Sequence, residues 1–224
     1  MPLQLSPLLV IWLLYNIAVP WGFVVLFLVL FLAYWEKNRS LRGIFASLGL
    51  KREGAARSVA WTLAMLPFFV VVYLLLMLFS FFLGPIPFLR IAGPVTGTIP
   101  LWYPFYMIAY AFFPVAIVEE ALARGYMLDR FLPEHPSGLR RALPALLLSS
   151  MLFTIYHIPG YLGVYFFSPP WAFALLVGNV FPWSIVLGVA YVRAHARNIL
   201  GPVLIHFLAD AVPMMLLIPL AMMP

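Results

Sequence analysis

Val118-Glu119-Glu120-Ala121-Leu122-Ala123-Arg124 sets two adjacent carboxylates and a guanidinium inside an otherwise aliphatic and aromatic run from Trp102 to Phe131. At about 1.5 Å per residue, a helix over that run crosses the roughly 30 Å hydrocarbon layer of a bilayer. Charge at that depth costs at least ~2.5 kcal/mol per residue at a helix centre, and it marks a functional interior. The rest of the chain has to supply partners and shelter for these three groups.

Composition agrees with a spanning reading. Of 224 residues, 65% are hydrophobic and 9% charged, and the mean hydropathy is +1.06, outside the balance of a soluble domain. The expected fold class is all-α, a polytopic membrane helical bundle of about six transmembrane helices. The length leaves room for one integral membrane domain, 1–224, with its motif-bearing core at about 102–220. No repeat or linker suggests a second domain. The net charge of +6 falls between apolar runs rather than along one face, so it speaks for topology and against a nucleic-acid partner. The absence of cysteine excludes disulfides and thiolate chemistry.

In chain order, Met1 to Pro7 lacks the positive start of a signal peptide, and Leu8 to Trp35 reads as an uncleaved first span, bent at Pro20 and carrying Asn16 for a helix–helix hydrogen bond. Glu36 to Arg57 is strongly basic and reads as a cytoplasmic loop. Within it Leu41, Ile44, Phe45 and Leu48 follow Ser40 at helical spacing, which suits either a short interfacial helix or a plain basic connector. The second span covers Ser58 to Leu83, followed by an external Gly/Pro-rich connector, Gly84 to Pro100, whose one charge is Arg90. The third span exits at Asp129 and Arg130 into an inside loop with Arg140 and Arg141; the fourth covers Ala142 to about Ile158, with an external turn at Gly160 to Pro170. The fifth, Trp171 to Val192, ends at Arg193, His195 and Arg197, and the sixth runs from Ile199 to about Leu220. Of 13 cationic residues, 11 then fall in or beside three inside loops, and both termini are external.

Three spans bring ionisable groups to one layer. Counted at about 1.5 Å per residue from the nearest cytoplasmic end, Glu119 lies roughly 16 Å in, His157 about 21 Å and His206 about 12 Å. Glu120 and Arg124 are four apart and share a face, so the arginine neutralises one carboxylate while Glu119, about 100° around the helix, points elsewhere. Phe153 places a ring one turn beneath His157, and Asp210 stands one turn after His206, where a carboxylate fixes an imidazole's orientation. A glutamate with two histidines also matches the three-ligand zinc arrangement, as Glu119, His157 and His206, although the compact His-Glu-x-x-His signature is absent. His135 and His195 read as solvated loop residues, and Asn179 as an interhelical hydrogen-bonding residue ahead of the alternative that it contacts the site. No Gly-x-Ser-x-Gly elbow occurs, and Ser149 and Ser150 have no suitably spaced base on their own helix.

Taken in order, Glu119-Glu120-x-x-x-Arg124, Phe153-x-x-x-His157 and His206-x-x-x-Asp210 resemble the three motifs of the CPBP intramembrane proteases. These are the type II CAAX prenyl endopeptidases and the bacterial Abi or bacteriocin-processing proteins, and the resemblance covers about Tyr103 to Pro213. It implies an intramembrane endopeptidase acting on a membrane-associated or prenylated, CAAX-like peptide. In that reading Glu119 and His157 activate water, His206 and Asp210 stabilise the oxyanion, and Glu120 and Arg124 shape the site. No cofactor is required, with zinc as the alternative. The implied setting is a prokaryotic plasma membrane, with the site toward the cytoplasm and the bilayer and a peptide as partners. Many members carry asparagine where this chain has Asp210. An ionised carboxylate cannot donate to an oxyanion, so Asp210 has to be protonated, orient His206, or bind a metal. The competing class is a proton-coupled transporter or immunity-type membrane protein that uses the same carboxylates as a relay.

Overall fold

The structure is a computed structural model and describes residues 28, 31–32, 34–35, 39–83, 103–133, 138–165, 170–194 and 197–221. Asn16, Pro20, Arg90, His135 and His195 lie outside the described residues, as does the connector Gly84 to Pro100. All regular structure among the described residues is helical.

Helix α1, Leu41–Ser47, begins where the sequence places its cap: Ser40 Oγ accepts from the Gly43 N–H at 3.0 Å. Its apolar face is divided. Ile44 and Leu48 are fully buried in the main core with Leu128 and Leu132, while Leu41 and Phe45 stay exposed. The helix therefore docks on protein with half of its apolar residues, and only the other half is free to meet a membrane surface. That docking depends on Gly125, where a Cβ would stand 2.3 Å from the Leu48 carbonyl oxygen.

Helices α2, Ala55–Ala64, and α3, Leu66–Leu83, occupy the second expected span. The helix starts earlier than Ser58 and is interrupted at Met65. Pro67 explains the interruption, since it has no N–H to return to the Leu63 carbonyl. Ala55–Val72 is long and apolar enough to cross a membrane, and Leu200–Ala211 is a shorter apolar helix.

Helix α4 runs from 103 to 131 and leaves α-helical register in two stretches. Ala111–Ile117 and Ala121–Leu128 are wound as wider π-helix, leaving Val118–Glu120 between them in α-helical register. In the first π segment the Val118 N–H reaches back five residues to the Phe113 carbonyl. Pro114, which has no N–H, lies inside that segment. The carboxylate pair thus stands where the helix is locally rewound, a common placement for π segments at functional sites.

Helix α5, Leu139–Tyr165, is longer than the fourth span expected from the sequence, which ended near Ile158 and gave way to a turn. Pro159 removes one backbone bond, but the helix continues through Gly160 as far as Tyr165. Helices α6, Pro170–Arg193, and α7, Leu200–Ala221, match the fifth and sixth expected spans to within a residue or two. The pairing of α5 with α6 is the most extensive, and α7 packs on α2 and on the first half of α4.

Burial is inverted relative to a soluble bundle. On α5 the exposed positions Leu143, Leu147, Met151 and Ile155 repeat every four residues, while Ser149, Ser150 and Thr154 are buried. On α3 Val70, Val71, Leu74, Leu75 and Leu78 are exposed. Such contiguous apolar surface needs an apolar environment.

Two polar clasps set the position of α7. Fully buried Asn198 donates to the carbonyls of Lys51 and Glu53, its Oδ1 accepts from the Leu200 N–H at 2.9 Å, and its own carbonyl accepts from Ser58 Oγ at 2.8 Å. Beyond it, Asp129 Oδ1 accepts from the Tyr191 hydroxyl at 3.0 Å and pairs with Arg197 at 3.1 Å, joining the end of α4 to α6 and to the approach to α7.

Candidate active site

The rewound stretch of α4 presents its two carboxylates in different directions. Glu120 is fully buried; its Oε1 accepts from Arg124 Nη1 at 2.9 Å, as the four-residue spacing predicts. Arg124, 1% exposed, spends its second nitrogen on α6, donating to the Ser184 carbonyl at 2.9 Å and to Ser184 Oγ at 3.1 Å. The Phe153 ring covers the guanidinium, with the arginine's central carbon 5.0 Å from the ring centroid. Ser184 is absent from the sequence reading, because a lone serine in an apolar helix carries no spacing signal.

His206 on α7 meets the same carboxylate oxygen, with Nδ1 2.7 Å from Glu120 Oε1. That oxygen also accepts from Arg124, so the imidazole is the donor. The orienting partner of His206 is therefore Glu120 from α4. Asp210, expected in that role, also lies beside the ring: its Oδ2 stands 3.5 Å from the other nitrogen, Nε2. Phe207 seats the helix beside α4 through an edge-on contact with Phe112 at 5.3 Å.

His157 on α5 is held by its own helix. Its Nδ1 lies 2.8 Å from the Phe153 carbonyl, which can only accept, so Nδ1 carries the proton. The Phe153 ring lies edge-on to the imidazole at 4.5 Å. Nε2 is thereby turned toward Glu119.

Glu119 completes the constellation. Its Oε2 lies 3.5 Å from His157 Nε2 and 3.6 Å from His206 Nε2. Both imidazoles have committed Nδ1 elsewhere, so each contact with Glu119 is attractive only when a proton lies between nitrogen and oxygen. All six expected residues are brought together: Glu119, Glu120 and Arg124 from α4, His157 from α5, His206 and Asp210 from α7. Exposure rises across the cluster, from Glu120 at 0% and Arg124 at 1% to His157 at 17% and Asp210 at 31%. The cluster therefore has a buried side, at Glu120 and Arg124, and a more open side, at His157 and Asp210.

Other residues fall outside this set. Ser149 Oγ donates to the Ala123 carbonyl at 3.1 Å, a structural bond between α5 and α4. Asn179, expected to bond between helices, makes no such bond: its Oδ1 is buried with no hydrogen-bond partner among the described residues. Its neighbours on α6, Val180 and Trp183, pack in apolar clusters. Among the described residues, no group of three or more histidine, cysteine or acidic side chains has the arrangement to hold a metal ion.

A family model described as "Type II CAAX prenyl endopeptidase Rce1-like" matches residues 100–212. That match contains all six residues of the cluster. No curated protein and no solved structure matches the chain.

Proposed function

Because the chain belongs to the type II CAAX prenyl endopeptidase Rce1-like family, in which membership implies CAAX-type intramembrane endopeptidase activity, we propose that it hydrolyses a peptide bond of a membrane-anchored, CAAX-like substrate with water activated by Glu119 and His157. The observation that carries this reading is the placement of one carboxylate oxygen, Glu119 Oε2, between the Nε2 atoms of two histidines whose other nitrogens are fixed.

The steps follow from the donors and acceptors. A water between Glu119 and His157 gives a proton to that pair and attacks the scissile carbonyl carbon. With both nitrogens protonated, His206 donates from Nδ1 to Glu120 and from Nε2 toward the oxyanion. The pair that took the water's proton passes it to the leaving amine when the tetrahedral intermediate collapses. Glu120 and Arg124 never touch the substrate; they hold His206 at its angle. This route needs no metal ion. Glu119, His157 and His206 are the ligands that a zinc ion would take in the alternative.

The setting belongs to the same proposal. In this proposal six spans, with their basic loops in the cytoplasm, hold the site in the cytoplasmic half of a prokaryotic plasma membrane, where a lipid-anchored peptide reaches it laterally. The inverted burial and the apolar length of Ala55–Val72 support this arrangement.

The test is cleavage of a panel of membrane-tethered reporter peptides, prenylated and unprenylated, by purified protein in detergent. Glu119→Gln, which keeps size and removes the base, is expected to slow cleavage by roughly 10²–10⁴-fold. Wild-type cleavage should survive a strong chelator. Undiminished activity in Glu119→Gln removes the mechanism, and chelator-sensitive wild-type activity moves the reading to zinc.

A further inference from the structure

Polar side chains in the bundle interior are bonded almost throughout. Ser58, Ser149, Ser184 and Asn198 each make a hydrogen bond to another part of the chain, and Thr62 and Thr154 to the carbonyl four residues back in their own helix. Two buried oxygens, Glu120 Oε2 and Asn179 Oδ1, have no hydrogen-bond partner among the described residues. Glu120 is fully enclosed, and its other oxygen already serves Arg124 and His206. Asn179 as a residue is partly exposed, so a turn of its amide brings the enclosed Oδ1 out to a ligand. Leaving a buried amide oxygen without a donor costs stability, and a chain retains such a group at a loss unless something else bonds to it.

The position of Asn179 says what that is. Its neighbour Val180 packs with Ala123 and Phe153, the residue beneath His157 and Arg124. Trp183, one turn further on and on the same face as Asn179, stacks edge-on against Phe69 at 3.8 Å and joins the cluster that contains Ile205, the residue before His206. Helices α6 and α7 are consecutive and joined by a short link, so they run in opposite directions. One turn back from Trp183 on α6, where Asn179 stands, therefore lies toward the part of α7 that carries Asp210. Asn179 is thus carried by α6, which packs on both the helix that carries His157 and the one that carries Asp210.

We propose that Asn179 is a substrate-binding residue, its side-chain amide pairing with a main-chain peptide group of the substrate next to the scissile bond. An amide side chain suits that partner, since Oδ1 accepts the peptide N–H while Nδ2 donates to a peptide carbonyl. It grips backbone rather than side chain, so it contributes binding common to substrates of different sequence. This inference rests on the peptidase reading of the same site.

The experiment uses the reporter that the full-length wild type cleaves best, with three analogues in which one peptide N–H near the scissile bond is replaced by an ester oxygen. One ester is expected to raise the wild-type KM about tenfold with kcat little changed. Asn179→Leu, an apolar side chain of similar size, should raise KM for the parent peptide by the same factor and be indifferent to that ester, while its thermal midpoint stays level or rises. An unchanged KM in Asn179→Leu overturns the inference, as does an ester penalty that persists in the variant. A lower midpoint with kcat and KM both impaired assigns Asn179 a structural role and overturns it too. If the wild type cleaves no reporter, the peptidase reading itself fails and takes this inference with it.

Discussion

Arg124 is bonded on three sides without reaching the open side of the cluster: Glu120 takes one nitrogen, Ser184 takes the other twice, and the Phe153 ring covers the plane. A planar fork is needed for that set, and an ammonium group cannot reproduce it. Arg124→Ala leaves the Glu120 charge buried with His206 as its remaining partner, and it should cost roughly 3–5 kcal/mol of stability. Ser184→Ala keeps the carbonyl acceptor and should cost about 1 kcal/mol. Unfolding both variants in mixed micelles compares them directly, and equal losses would mean that the guanidinium is not the keystone. The Glu120–Arg124 pair is legible in the sequence because both partners lie on one helix at a fixed spacing. The Glu120–His206 contact is not, because it joins α4 to α7 and no spacing encodes it; the sequence offers Asp210 as the nearer candidate for His206, and only the packed bundle shows Glu120 to be closer.

The elements were readable wherever a polar loop ends an apolar run. The end of α6 and the start of α7, on either side of the polar stretch Arg193 to Asn198, fall close to their expected limits for that reason. Helix α5 outran its expected end because Pro159-Gly160 is a stop signal in water and a tolerated fault in a helix supported along its length by α6. The π segments of α4 have no side-chain signature, being a choice of backbone hydrogen-bond register. Close approach between helices is similarly hidden until they pack. At Gly201 an added Cβ would stand 2.3 Å from Thr62 Oγ1 and 2.4 Å from the Ser58 carbonyl oxygen, so α7 lies directly on α2 there. Gly201→Ala should therefore push the helices apart, destabilise the protein by about 1–3 kcal/mol and slow cleavage, since His206 rides on the displaced helix. Gly178→Ala is the control: nothing lies within 4 Å of its added methyl, and a helical glycine replaced by alanine should gain about 0.5–1 kcal/mol. Thermal unfolding of the two side by side measures the difference, and a neutral Gly201→Ala would show that α2 and α7 have slack between them.

For the whole molecule, the three motifs read over Tyr103 to Pro213 coincide with the family match over 100–212, because residue identity and order survive without knowledge of packing. Sidedness is a different kind of property, set by the charges between helices. If the six-span topology holds, the basic stretch around Arg52 and the loop holding Arg140 face the cytoplasm, and Arg90 faces outward. The absence of native cysteine makes this directly measurable. Single substitutions Arg52→Cys, Arg140→Cys and Arg90→Cys each place one thiol in an expected loop. A membrane-impermeant maleimide added to intact cells should label only Arg90→Cys, and the other two should react after permeabilisation. The reverse pattern would place the Glu119 layer nearer the outer surface and require a substrate presented from outside. Labelling of Arg52→Cys and Arg90→Cys from the same side would leave an even number of crossings between them, contrary to the single helical crossing from α2 through α3 that the six-span arrangement needs.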